Sequence, residues 1–310
     1  MQIGMIGLGK MGGNMALKLL EEGHTVVVWN RSQEAVNSLQ LTINSEQKKH
    51  ISVAKTIKKL VQTLDKPRVV WLMLPAGEVT QALLDEAKQY VEAEDIIIDG
   101  SNAHWKETEE RYQTFTEKNI KFLGIGVSGG IIGPKEGYSL MAGGDKSAYE
   151  YIVPVLDSLS RPNAAHTYFG TGGAGHFVKM IHNGIEYGYM QALGEGFDVL
   201  HNSPYALDLQ KVAKLWQKSS LISGFMMDRT VEVLQKDPKL EQIVGVVNAS
   251  GEAQWTIDTA KEEGVPVEII ERSLEYRKRS QTDSAVQNSF TAKLIAALRN
   301  AFGGHEVKKK

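Results

Sequence analysis

Cysteine is absent from all 310 residues. Disulfides, thiolate zinc sites and cysteine nucleophiles are therefore excluded. No segment holds the run of roughly 20 apolar residues that spans a bilayer. Charge of one sign is also missing: 35 Lys and Arg stand against 37 Asp and Glu, for a formal net charge of -2. That balance gives no sign of a nucleic-acid partner. The chain runs from Met1 straight into an apolar strand pattern, with no basic leader or small-residue cleavage site. A cytoplasmic protein without membrane association is expected. Lys308, Lys309 and Lys310 read as a solvated, frayed terminus. What is present is a hydrophobic fraction of 42%, enough for a sizeable core, in a length that suits one large domain or two ordinary ones.

The first half alternates short apolar runs, at 3–6, 26–29, 69–74, 96–99, 120–124 and 166–169, with helical patterns such as 11–22, 78–91 and 106–118. That alternation predicts an α/β fold, a Rossmann-type, doubly wound, mostly parallel sheet. Residues 41–66 are polar and read as a surface helix with loops. After about residue 175 the pattern is helical throughout, at 175–200, 208–218, 221–235, 252–263, 268–280 and 284–301. Gly170, Gly172, Gly173 and Gly175 mark the change. The expected domains are 1–175, for a dinucleotide, and 176–310, all-helical, for substrate and oligomerisation.

The first strand run leads into Gly7-Leu8-Gly9-Lys10-Met11-Gly12 and then a helix. In that context the first glycine allows the tight turn, the second lets the backbone approach a pyrophosphate, and the third permits close helix–strand packing. The helix N-terminus offers N–H groups to phosphate. The second strand ends in Asn30-Arg31-Ser32, where a free ribose 2′-hydroxyl would favour Asp or Glu. A guanidinium and a hydroxyl suit a 2′-phosphate instead, so NADP is preferred and NAD is the second option. Leu74, Pro75, Ala76 and Asn102 complete the expected cofactor set.

Lys179, His182, Asn183, Glu186 and Tyr187 fall at i, i+3, i+4, i+7 and i+8, one continuous helix face. The rest of that helix is Val, Met, Ile, Leu and Gly, as a buried element would be, with Gly184, Gly188 and Ala192 in a line that admits a close neighbour. A buried polar stripe needs partners. A lysine so placed can have its pKa lowered toward that of a general base. Two loops at strand ends, 99–102 with Asn102 and 126–130 with Ser128, Gly129 and Gly130, are either plain turns or the grip for an acid substrate.

These pieces resemble the 6-phosphogluconate dehydrogenase family: 7–12 with Asn30-Arg31-Ser32, 99–102, Ser128-Gly129-Gly130, 139–144, the 179–187 helix motif, Trp255-Thr256, 264–267, and Arg299 through His305. The length is similar to the family's short form. The resemblance implies oxidation of the C3 hydroxyl of 6-phosphogluconate, then loss of carbon dioxide to give ribulose 5-phosphate, a pentose phosphate pathway step. Lys179 would be the base and later the acid that polarises the ketone, so no metal is called for. Glu186 would protonate C1 of the enediol. Asn102, Ser128, Gly129, Gly130, His182 and Asn183 would hold the sugar acid. Tyr187 and Arg277 match phosphate contacts. Arg299 and His305 match tail residues that a neighbouring subunit supplies, which implies a homodimer or homotetramer. One departure stands out: where the long form carries a phosphate-binding lysine, this chain has Ser250. The alternative activity is that of a β-hydroxyacid dehydrogenase acting on a small unphosphorylated acid such as 3-hydroxyisobutyrate. A non-catalytic NADP-sensing protein is the reading from another class.

Overall fold

The computed structural model describes residues 1–310, in two compact units, Met1–Lys179 and Met180–Lys310. In chain order the first contains β1 (Gln2–Ile6), α1 (Lys10–Glu21), β2 (Thr25–Trp29), α2 (Gln33–Thr42), β3 (Ile51–Val53), α3 (Ile57–Thr63), β4 (Val69–Leu72), α4 (Glu78–Ala87), β5 (Ile96–Asp99), α5 (Trp105–Thr116), β6 (Lys121–Ser128), α6 (Gly133–Glu136), β7 (Ser139–Gly144), α7 (Lys146–Ser160) and β8 (His166–Gly170). The strands form one sheet in the order β3-β2-β1-β4-β5-β6-β7-β8. Every neighbouring pair is parallel except β6 with β7. This is the expected doubly wound sheet.

Strand side chains alternate between two faces. Ile3, Met5, Val26, Val28, Trp71 and Ile98 join Met15 and Leu19 of α1 and Ile152 and Val155 of α7 in one core. Ile6, Val27, Val70, Leu72 and Ile97 join Leu60, Leu84 and Phe115 of α3, α4 and α5 in another. Both faces are covered, so the strands read as unbroken apolar runs rather than as alternating ones. The stretch 41–66 departs from expectation. It holds β3 and α3, whose Ile57, Leu60 and Val61 are buried. The edge strand has three residues, two of them exposed, and so carries little hydrophobic pattern.

The second unit is helical. α8 (Ala174–His201) begins in the first unit and is followed by α9 (Leu209–Trp216), α10 (Phe225–Lys236), α11 (Glu252–Glu262), α12 (Glu268–Arg279), α13 (Ser284–Asn288) and α14 (Phe290–Gly303). Met190, Leu193 and Phe197 pack with residues of α9, α10 and α14. Tyr187, Ala253, Ile257 and Leu274 form a smaller core. The single helix expected over 284–301 breaks at Ser289, whose hydroxyl caps α14 by accepting from Ala292 N–H. The lysine tail is not frayed: Val244 N–H donates to the Lys308 carbonyl at 2.9 Å, and Ile243 bridges Lys309. The pairing arises because residues 242–244 offer backbone groups outside any helix. No helix is long and apolar enough to cross a membrane.

Candidate active site

The glycine turn between β1 and α1 is fixed by its own crowding. Gly7 has φ +97, and a Cβ there would lie 2.4 Å from the Met73 carbonyl oxygen and 2.8 Å from Leu74 Cδ2. A Cβ on Gly12 would lie 2.0 Å from the Gly7 oxygen, whereas one on Gly9 would meet nothing within 4 Å. The outer, middle and inner glycines thus do different things, as a dinucleotide turn requires. Gly9 caps α1 without a side-chain bond, and the first turn holds no acid, which suits a phosphate at that end. Asn30 Oδ1 accepts Leu8 N–H at 2.9 Å, and its amide donates to the Ser32 carbonyl at 3.0 Å. Asn30 therefore braces the turn and leaves Arg31 and Ser32 exposed beside it. Lys10, Pro75 and Ala76 are exposed, and Met11 and Leu74 are half-buried. These residues fit a nicotinamide dinucleotide. We expect Gly12→Ala to cost about 1–3 kcal/mol of stability, the usual toll of overpacking, and to weaken cofactor binding; thermal unfolding and a fluorescence titration check both.

Asn102 is exposed in the loop after β5. Its turn is held by a buried charge network: Asp99 Oδ1 accepts Ser101 N–H at 2.9 Å, and Arg111 Nη1 donates to Asp99 Oδ2 at 2.8 Å. Arg111 also donates to Gln81 and Glu107. Ser128 ends β6, and Gly129 and Gly130 follow with φ +138 and +53. Lys179 reaches this sheet because β6 carries glycine where it passes: a Cβ on Gly126 would meet Lys179 Cβ at 2.3 Å and Cγ at 2.7 Å. Lys179 is 8% exposed.

Farther along α8, His182 Nδ1 and Asn183 Oδ1 are 2.9 Å apart, and Asn183 Nδ2 donates to Glu252 Oε1 at 3.0 Å. Glu252, 3% exposed, was not anticipated from the sequence. A carboxylate in the first turn of α11 looks like ordinary helix charge, and only its burial shows that it orients Asn183. Glu186 is half-buried. Tyr187 is 4% exposed, and its hydroxyl accepts Ser250 N–H at 3.2 Å. The Arg277 guanidinium carbon stacks 3.2 Å from the centre of the Tyr187 ring. Arg277 Nη2 is buried without a hydrogen-bond partner. Burial pushes the Arg277 pKa down to about 10, with Arg299 lowering it and Tyr187 and Glu186 opposing. Burial likewise lowers Arg299, in the field of Tyr187, Glu186 and Glu252 of the same chain. Two desolvated cations that repel each other favour an anion. His305 is exposed, its carbonyl accepting Asn300 Nδ2–H at 2.7 Å. Of the small residues on α8, Gly184 approaches Thr256 and Gly188 approaches Ile269. The opposite face is less buried than expected: Ile185 is 61% and Val199 73% exposed.

Residues 2–172 match the NAD binding domain of 6-phosphogluconate dehydrogenase, and residues 175–289 match the C-terminal domain of 6-phosphogluconate dehydrogenase. Bacillus subtilis YqeC, whose name assigns 6-phosphogluconate dehydrogenase provisionally, is 41% identical, with 100% of both chains covered. A Haloferax volcanii protein named as NAD(+)-dependent, decarboxylating 6-phosphogluconate dehydrogenase is 36% identical over 100% of this chain and 99% of its own. Among solved structures, Plasmodium falciparum 6-phosphogluconate dehydrogenase aligns with TM-score 0.81 and 30% identity, covering 96% of this chain and 70% of that one. A Mycobacterium tuberculosis 3-hydroxyisobutyrate dehydrogenase, at TM-score 0.70 and 21% identity over 96% of this chain and 99% of that one, shares the fold alone. Matches to both domain families join full-length relatives above 30% identity, and the chain belongs to the 6-phosphogluconate dehydrogenase family.

Proposed function

We propose that this chain oxidises and decarboxylates 6-phosphogluconate to ribulose 5-phosphate and carbon dioxide. The observation that carries this reading is Arg277, a buried guanidinium stacked on Tyr187 with an N–H that has no protein partner. A phosphorylated substrate supplies the missing acceptor through strong, charge-assisted bonds; an unphosphorylated hydroxyacid leaves it unmet. A bound nicotinamide supplies the hydride acceptor. Lys179 takes the proton of the C3 hydroxyl as oxidation proceeds, and as an ammonium donates to the ketone oxygen while carbon dioxide leaves. Glu186 delivers a proton to C1 of the enediol. Asn102, Ser128, Gly129, Gly130, His182 and Asn183 hold the sugar acid. Arg277, Arg299, Tyr187 and His305 bind the phosphate, and Ser250 leaves that subsite one cation short of the long form. A steady-state assay of both cofactors against phosphorylated and unphosphorylated gluconate tests this. Turnover of 6-phosphogluconate is expected. Turnover of 3-hydroxyisobutyrate alone would transfer the assignment to that acid, and cofactor binding without either turnover would favour a sensor.

For the cofactor we propose NADP, with the 1–175 stretch as its domain. The Haloferax relative is named for NAD+, while the Plasmodium enzyme was solved in complex with NADP+ as its cofactor. In this chain Asn30 is engaged with Leu8, and Arg31 stands exposed at the strand end. Arg31→Ala is expected to raise the Kd for NADP on the order of 10-fold or more, the loss of one charge-assisted contact, and to leave NAD unchanged. Titration of each cofactor measures it; equal effects would speak against a 2′-phosphate contact. We further propose a homodimer or homotetramer. Its support is the set of exposed aliphatic side chains on the helical unit, among them Ile185, Val199, Leu215, Leu221 and Ile269.

A further inference from the structure

The chemistry above leaves His176 without a part, yet it is 1% exposed and precedes Lys179 by one helical turn. The first turn of α8 is gripped by α5. Glu109 Oε2 accepts Gly173 N–H at 2.9 Å, and the Trp105 and Phe177 rings meet edge to face with centroids 5.5 Å apart. Between these contacts Thr108 Oγ1 lies 2.6 Å from His176 Nδ1.

Thr108 Oγ1 is 3.3 Å from the His104 carbonyl oxygen, which can only accept. The His104 carbonyl already accepts Thr108 N–H at 3.2 Å, so the short contact to His176 Nδ1 is the main hydrogen bond of the Thr108 hydroxyl, which can donate or accept. The imidazole is thereby held in one orientation, with Nδ1 on the Thr108 hydroxyl. Burial, joined by Arg111 and opposed by Asp99, disfavours a second proton.

The ring also touches the turn after β5 and the strand β6. A Cβ on Gly124 would meet Thr108 Cγ2 at 2.4 Å and His176 Nδ1 at 3.2 Å, so β6 lies directly against the pair. Its remaining neighbours include the backbone of Ile125 and Ser101. Ser101 precedes Asn102. Ile125 precedes Gly126, the residue that admits the Lys179 stem. One imidazole therefore contacts the turn that carries Asn102, the strand that leads to Ser128, and the helix that carries Lys179.

We propose that His176, oriented by Thr108, is the positioning residue that sets Lys179 against Asn102 and Ser128 for proton transfer. This rests on the reading of Lys179 as the base. The hydroxyl is the part to remove: Thr108→Val keeps the branched shape and loses the hydrogen bond, while Thr108→Ser keeps it. Thr108→Val is expected to lower kcat for 6-phosphogluconate on the order of 10- to 100-fold, the scale of a small misplacement of a catalytic group. KM and NADP affinity should stay put, and Thr108→Ser should retain wild-type kcat. NMR of the histidine nitrogens should show one fixed tautomer of His176 in the wild type and the Ser variant, lost in the Val variant. The rate at which trinitrobenzenesulfonate modifies Lys179, read by peptide mass spectrometry, should change in the Val variant alone. Unaltered kcat in Thr108→Val would overturn the proposal. So would a loss shared by both variants that tracks their thermal unfolding. If the wild type turns over neither 6-phosphogluconate nor 3-hydroxyisobutyrate, the reading of Lys179 as base fails by itself. The Lys179 modification rate then decides the positioning: a change supports it, and an identical rate in wild type and Thr108→Val refutes it.

Discussion

Replacing Lys179 by methionine is expected to lower kcat for oxidation of 6-phosphogluconate by roughly 10²- to 10⁴-fold, the range a positioned general base contributes, while NADP binds as before. The geometry makes this substitution a clean one. The lysine stem lies against Gly126, 8% exposed, and methionine fills the same space with an unbranched chain. What disappears is the amine. The glycine turn and the Asn30 brace belong to a different part of the sheet, so cofactor affinity should survive. Stopped-flow measurement of NADPH formation, beside a binding titration, separates the two effects. Oxidation at the wild-type rate would remove Lys179 from the mechanism, and loss of cofactor binding would mean that the substitution had disturbed the first unit as a whole.

The second large effect is expected at Arg277. Changing it to methionine should raise KM for 6-phosphogluconate by roughly 10- to 100-fold, since a hydrogen bond to a charged group is worth about 1.5–3 kcal/mol. Activity on unphosphorylated gluconate should hardly change. Lysine at the same position should recover only part of the loss, because a point charge does not reproduce a planar guanidinium stacked 3.2 Å from the Tyr187 ring centre. Steady-state kinetics with the two gluconates are the measurement. An equal loss on both would mean that Arg277 supports the fold of α12 against α8 and does not select phosphate. Arg299 strengthens the phosphate reading in one respect: it lies in the field of Tyr187 and Glu186 of its own chain, whereas the family resemblance implied supply by a neighbour.

Much of this was legible in the residues because the physics is local. The runs at β1, β2, β4 and β5 are apolar on both faces, as a covered parallel sheet demands, and the helices of the second unit keep their period over long stretches. β7 was not read as a strand. Its Gly143 and Gly144 carry no β signal, and they are there for another reason. A Cβ on Gly143 would lie 2.3 Å from Gly175 N, and Gly144 has φ +120. β3 is too short and too exposed to leave a pattern. In the candidate site the polar stripe from Lys179 to Tyr187 could be seen from spacing alone. Its supports could not. Glu252 behind Asn183 and Thr108 behind His176 come from distant parts of the chain, and Arg111 behind Asp99 from the next helix. Each looks like an ordinary surface helix residue until the fold buries it. The exposed side of α8, at Ile185 and Val199, was hidden for the converse reason: an apolar side chain gives no sign in the sequence of whether the fold covers it.

The most direct measurement is the ratio of carbon dioxide released to NADPH formed when purified protein is given 6-phosphogluconate and NADP. One of each per turnover is expected, with both products lost in Lys179→Met. Formation of NADPH without carbon dioxide, or no NADPH at all while 3-hydroxyisobutyrate is oxidised, would contradict it.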